Sequence, residues 1–214
     1  MAPRGPVGPV TPLPPRLQCL EQARRDPLYA AFVLAASMGL RRGEVLGLRW
    51  SDVDLEHRVL RVSKQVQRVG GVLYEDTTKS GRARPLPPPL ICLAALRWHR
   101  MRQTDAARLR GVELSPSSHI TTRTGRPIDP QNVNRSFFRI TAAAGLRRIR
   151  LHDARHGCAT LLTAAGVAPR VVMEILGHSR ISITTDVYTH VTSDTQREAI
   201  GHMDRLLRRR LDRG

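Results

Sequence analysis

LHDARHGCATLLTAAGVAPRVVMEILGHSRISITTDVYTHV, residues 151–191, is the stretch on which the reading of the chain turns. His152 and Arg155 stand three apart, so on a helix they share one face. Asp153 and Arg155 fall where an apolar helical run begins (Ala159, Leu161, Leu162, Ala165), which places them near its N-terminus. Gly166 ends that run and Pro169 opens a second, carrying Val171, Val172, Ile175 and Leu176. Gly177 closes the second helix, as a glycine just past a helix end does. His178 then stands on a loop, where a side chain can be aimed rather than buried. Tyr188 follows in polar company, among Thr185, Asp186, Thr189 and His190.

An arginine, two histidines and a tyrosine make chemical sense around a phosphodiester. The planar guanidinium fits phosphate oxygens and stays charged at neutral pH. Histidines supply hydrogen bonds and proton transfer near pH 7. A phenol of pKa about 10 is both a fair attacker and a fair leaving group. A phosphotyrosyl link therefore conserves the energy of a broken strand, and rejoining needs neither ATP nor a metal.

With these residues in view, the segment resembles the second conserved region of the tyrosine recombinase (phage integrase) family. The motifs are His-x-x-Arg-His at 152–156, Leu-Gly-His-Ser at 176–179 and Tyr-x-His-Val at 188–191. The interval from His178 to Tyr188 is one residue longer than the commonest family form.

Upstream, Gly39-Leu40-Arg41-Arg42-Gly43-Glu44 bends between two helices and projects Arg41 from a short turn. On spacing alone, Arg41 and Glu44 are an ordinary surface pair of a helix. The string also resembles the family's first conserved region, which implies that Arg41 is a second phosphate clamp and that Glu44 holds it by a charge-assisted hydrogen bond.

From 57 to 86 the apolar period changes to two. Gly70-Gly71 and Ser80-Gly81 are hairpin signals, so a three-stranded antiparallel sheet is expected over about 58–68, 72–78 and 82–86. Lys79 would lie at the second hairpin's tip. The chain holds 35 Lys and Arg, and all but Lys64 and Lys79 are Arg. A lysine at such a tip suggests a need for a dissociable proton, which an acid for the 5′ oxygen would meet. Lys64, inside a strand, is the alternative. Lys79-Ser80-Gly81-Arg82-Ala83-Arg84 also resembles the family's hairpin lysine followed by a basic strand.

Pro87-Pro88-Pro89 opens a helix with Ile91, Leu93, Leu96 and Met101 towards a core and Arg97, Arg100 and Arg102 outward. His99 and Trp98 read as packing or surface. A turn-rich loop over 115–130 contains His119, which has no evident task. Asp129 or Pro130 opens another helix, through Phe137, Phe138 and Ile140, that Gly145 ends. Residues 195–211 form an amphipathic basic helix that must dock, either on its own domain or, as the resemblance implies, on a neighbouring subunit.

A net charge of +17 argues for a polyanionic partner, nucleic acid ahead of membrane. Composition bias explains why the cations are arginine, not their excess over the acids. Arg82, Arg84, Arg147, Arg148 and Arg150 are candidate DNA-backbone contacts. Cys19, Cys92 and Cys158 lack metal-ligand spacing and read as small buried hydrophobes. With no signal peptide and no apolar run of the roughly 20 residues a span needs, a cytoplasmic chain is expected.

The expected organisation is a Pro-rich leader over 1–15, a catalytic domain over 16–205 and a basic tail over 206–214. The fold class is α+β, mainly helical, with a small antiparallel sheet. By resemblance, the amino-terminal core-binding domain of the family is absent, Tyr188 is the nucleophile, and Arg41 and Arg155 clamp the phosphate. His152 and His178 bond the phosphate and move protons, Lys79 protonates the leaving oxygen and His156 orients a neighbour. The partners implied are double-stranded DNA and further copies of the chain in a tetramer, with no cofactor, metal or membrane. The activity expected is site-specific recombination. The alternatives are a truncated remnant that only binds DNA, and relaxation of DNA in the manner of a type IB topoisomerase.

Overall fold

The computed structural model describes residues 15–78, 83–122, 124–146, 149–177 and 197–205. The hairpin expected at Ser80-Gly81, most of the leader and the last nine residues lie outside them.

Helix α2 (Tyr29–Met38) is apolar on every side, and a helix of that kind has to be central. Eight of its ten residues are buried. Around it pack α1 (Pro15–Ala23), α3 (Arg42–Gly47), α4 (Leu90–Arg108) and α6 (Leu151–Ala164). Helix α5 (Pro130–Ala143) adds Val133, Phe137 and Ile140 to the same core. Asp129 caps α5 by accepting from the Gln131 amide at 2.8 Å, with Pro130 in the first turn, an ordinary start signal.

A second, smaller core brings Cys158 and Leu162 of α6 against Val171, Val172, Ile175 and Leu176 of α7 (Pro169–Leu176). Ala199, Ile200 and Met203, from a helix over 197–205, complete it. The carboxyl-terminal helix thus docks on its own domain. Asp204 also accepts from the Leu90 amide at 2.9 Å, at the start of α4.

The strands depart from expectation in pairing rather than position. The run expected as one strand over 58–68 is two, β2 (Val59–Val62) and β3 (Lys64–Val69). Strand β2 lies between β1 (Val53–Asp54) and β5 (Arg84–Leu86) in a three-stranded antiparallel sheet, while β3 pairs with β4 (Val72–Thr77) in a hairpin of its own. Ser63 stands at the break, its carbonyl accepting from the Thr78 amide. Beyond it α3 lies on the strand: a Cβ on Gly47 would stand 2.8 Å from the Lys64 carbonyl, and one on Gly43 3.0 Å from that of Val66. Two glycines one helical turn apart let the helix touch the strand's backbone, and this seats α3, with Arg41 at its head.

Two further expectations change. Met101 is 56% exposed rather than core, because the buried face of α4 runs through Leu96, His99 and Gln103. His119 has a task. It bonds Glu75 at 3.1 Å, and Arg49 and Lys64 join the same carboxylate at 2.7 and 2.8 Å. Burial works to raise the Glu75 carboxyl, but its bonds with Lys64, Arg49 and His119 outweigh that and hold it at about 2. Lys64, the alternative acid, is therefore committed to an ion pair across the β3–β4 hairpin.

Candidate active site

Arg41 precedes the first residue of α3, so its side chain leaves from a helix N-terminus while its amide still needs an acceptor. Glu44 supplies it. One carboxylate oxygen accepts from the Arg41 amide at 2.9 Å and the other from Arg41 Nη1 at 2.8 Å. The pairing expected from the sequence is present, although Glu44 is no surface residue, being 1% exposed. A carboxylate that deep needs compensation, and a second arginine provides it. Arg84 of β5 forks onto Glu44 with Nη1 and Nη2 at 3.1 and 2.9 Å. Burial raises the Glu44 pKa, but the bonds and charges of Arg84 and Arg41 prevail and hold it below the ordinary carboxylate range.

Arg155 comes from α6. Its position in the second turn of α6 follows from the start of that helix, where the Asp153 side chain accepts from the Arg150 amide at 2.7 Å. The residue is 3% exposed, and its Nη1 donates to the Gly39 carbonyl at 2.6 Å. Gly39, at φ +63°, ends α2 in the left-handed conformation, which turns that carbonyl towards the site. Burial lowers the Arg155 pKa to about 10, the neighbouring Arg41 charge adds to this and Glu44 opposes it. The group remains protonated at neutral pH. Its Nη2 is buried without a hydrogen-bond partner, as is Arg84 Nε.

Helix α7 closes the arrangement. Gly177, left-handed at φ +69°, ends it, and the Gly177 carbonyl accepts from Arg41 Nη2 at 2.7 Å. Arg41 and Arg84 thus bond one carboxylate and Arg155 lies within its field, an excess of two positive charges beside Gly177. Beside that surplus positive charge, the unpartnered Arg155 Nη2 is a donor that an oxyanion would satisfy.

His152 is exposed on α6, and its ring meets that of His156 edge-on at 4.8 Å between centroids. Burial, then the charges of His156 and Arg155, lowers its pKa, so the imidazole is neutral at pH 7. The i, i+3 relation thus does not aim His152 and Arg155 alike: the arginine turns inward and the histidine outward, with His156 beside it. Arg150 lies outside, its side chain 77% exposed.

Arg84 departs most from its expected role. It was expected as an outward DNA contact, yet its side chain is 15% exposed and faces Glu44. Its parity was a signal, because Arg84 and Leu86 share one face of a strand and Leu86 is buried. The Gly39 and Gly177 carbonyls were missed as well, since no side chain advertises them. Lys79, Arg82, Arg147, Arg148, His178 and Tyr188 lie outside the described residues. Among the described residues no three His, Cys, Asp or Glu side chains are grouped to hold a metal ion. No described helix is long and apolar enough to cross a membrane.

A family model described as the phage integrase family matches residues 17–195. A XerC-like tyrosine recombinase of Caldanaerobacter subterraneus subsp. tengcongensis is 36% identical over 189 residues, covering 81% of this chain and 48% of the relative. A putative prophage phiRv2 integrase of Mycobacterium tuberculosis is 32% identical over 193 residues, covering 89% of this chain and 49% of its own length. The chain spans about half the length of these relatives. Among solved structures, the Tn1549 transposon integrase in complex with a circular intermediate DNA superposes with a TM-score of 0.66 at 26% identity, over 91% of this chain and 66% of that one. XerA recombinase gives 0.61 at 26% identity, over 92% and 65%. In sequence and in fold the chain belongs to the phage integrase family, as a tyrosine recombinase catalytic domain.

Proposed function

We propose that the chain is the catalytic part of a site-specific recombinase that cuts and rejoins double-stranded DNA through a 3′-phosphotyrosyl link to Tyr188. The observation that carries this reading is the buried Arg155, with an unpartnered Nη2, beside Arg41 and Arg84 on a single carboxylate. A phosphodiester gains charge on its non-bridging oxygens as a nucleophile adds. Donors already fixed where that charge develops are worth about 3 kcal/mol each.

In this mechanism the Tyr188 hydroxyl attacks phosphorus and the bond to the 5′ oxygen breaks. His152, neutral at pH 7, is suited to accept the phenolic proton. Lys79 gives a proton to the departing 5′ oxygen. Arg41 and Arg155 hold the non-bridging oxygens, His178 bonds the same phosphate and His156 orients His152. Reversal by another strand's 5′ hydroxyl rejoins the DNA. Arg82, Arg147, Arg148 and Arg150 lie along the DNA backbone. Exchange between two duplexes breaks four strands, one per active site, so the working assembly is a tetramer. The relatives reported above are named recombinases and integrases, which favours this reading over topoisomerase-like relaxation or DNA binding without cleavage.

The test uses a labelled pool of short nicked duplexes of randomised sequence, in which strand loss beyond the nick traps the covalent product. The wild-type chain is expected to give a detergent-stable protein–DNA adduct. Tyr188→Phe is expected to give none while binding the pool within about twofold of wild type. An adduct in that variant removes Tyr188 as nucleophile. Relaxation of supercoiled plasmid without rearrangement supports the topoisomerase-like reaction instead.

A further inference from the structure

Arg41, Glu44, Arg84 and Gly177 form a closed ring. Arg41 bonds Glu44 and the Gly177 carbonyl, Arg84 forks onto Glu44, and the Arg84 guanidinium lies against the Gly177 Cα. That last contact is tight: a Cβ on Gly177 would stand 2.3 Å from Arg84 Nη1 and 2.6 Å from Cζ. The ring joins the start of α3, strand β5 and the end of α7, three elements far apart in sequence.

We propose that Arg84 is a positioning residue for strand cleavage, acting through Glu44 and through Gly177 on Arg41. This rests on the recombinase reading above. Both terminal nitrogens of Arg84 face Glu44, and the side chain is largely buried, so it does not grip DNA. Its effect on Arg41 is electrostatic as well as steric. A lone Glu44–Arg41 pair would be neutral, and Arg41 would have little left to offer the charge that develops on the phosphate during attack. With two guanidinium groups sharing one carboxylate the ring keeps a positive charge, and Arg41 stays aimed at that developing charge. Gly177 completes the device, because any larger residue there would displace the guanidinium that holds Glu44.

Two measurements test this. The first follows adduct formation with the nicked-duplex pool at saturating DNA, alongside affinity and its salt dependence. Arg84→Met is expected to slow the adduct about a hundredfold with affinity and salt slope unchanged, because it loses the orientation of a phosphate clamp. Arg84→Lys is expected to recover only part of the rate, since an ammonium cannot span both carboxylate oxygens. An unchanged rate overturns the proposal. So does weaker binding with a shallower salt slope, which would mark Arg84 as a direct phosphate contact.

The second measurement needs no catalysis, so it separates failure of this proposal from failure of the recombinase reading. Denaturation midpoints are compared for wild type, Gly177→Ala, Arg84→Ala and the double variant. The added methyl strains the left-handed backbone in either background, but it meets the guanidinium only when Arg84 is present. Gly177→Ala is therefore expected to lower the midpoint more in wild type than in Arg84→Ala. Equal shifts overturn the ring, whether or not the chain cleaves DNA.

Discussion

Across 136 residues of sequence, Arg41 Nη2 donates to the Gly177 carbonyl at 2.7 Å. The first arginine of the site is thereby tied to the residue before His178. Its other terminal nitrogen is on Glu44, and a fork with two fixed acceptors has a fixed plane.

Arg41→Lys keeps the charge and loses the fork. One ammonium cannot reach Glu44, Gly177 and a phosphate together. Adduct formation is expected to fall about a hundredfold with DNA affinity altered no more than about threefold. Quench-flow sampling of the nicked-duplex reaction, beside an equilibrium binding titration, checks both numbers. A large affinity loss at unchanged cleavage rate would contradict the assignment.

Arg155→Met separates activity from stability. A buried guanidinium with an unpartnered donor is a burden on the fold, and methionine fills similar space without charge. The variant's thermal midpoint is expected to equal or exceed that of wild type, while cleavage falls about a hundredfold or more. Calorimetry and the adduct assay decide. A midpoint well below wild type would show that Arg155 serves the core instead.

The seat of α3 is testable through its glycines. Alanine in a helix gains about 1 kcal/mol over glycine, and a forced backbone clash loses about 1–3 kcal/mol. At Gly47 the new Cβ would stand 2.8 Å from both carbon and oxygen of the Lys64 carbonyl, whereas at Gly43 its nearest neighbour is the Val66 oxygen at 3.0 Å. Gly47→Ala is therefore expected to destabilise by about 1–2 kcal/mol and Gly43→Ala to be near neutral. Urea titrations give the ranking, and the reverse order would refute this account of the helix–strand contact.

His99 predicts the acid limb of stability. The residue is 3% exposed, and burial pushes its imidazole down to about 4, against a hydrogen bond with the Thr122 backbone that raises it. The unfolded chain titrates near 6.5. Below that value the unfolded state takes up the proton and the folded state does not, so stability falls as pH drops from about 6.5 towards 4. Between pH 7 and pH 5 the loss is about 2 kcal/mol. His99→Gln is expected to flatten that limb, as urea midpoints at the two pH values would show.

Local grammar carried most of this fold. The left-handed glycines 39, 145, 166 and 177 stand at the helix ends expected of them, and Pro130 and Pro169 open their helices. Such signals lie within a turn of the residues they govern. What escaped depends on partners remote in sequence. The break at Ser63 arises because β2 pairs with β5, more than 20 residues on, and β3 with β4. The inward turn of Arg84 depends on a carboxylate 40 residues earlier. In the site, the Arg41–Glu44 bond was legible from spacing and resemblance together. The carbonyls of Gly39 and Gly177 were not, because every residue has one and only the fold selects which is used.

The two cores give the protein a fault line. Helix α6 enters the larger core through Leu151 and the smaller through Cys158 and Leu162, and Arg155 stands between them. Among the described residues the smaller cluster, α6 and α7 with the helix over 197–205, holds far fewer buried apolar side chains than the larger. Cooperative units of that size open on their own at a fraction of the global free energy. Such an opening would carry the Gly177 carbonyl away from Arg41 and release one arm of its fork while the body of the domain stayed folded. Hydrogen exchange would see it as early labelling of 169–177 and 197–205. A phosphate clamp built across a hinge can be disarmed without denaturing its owner.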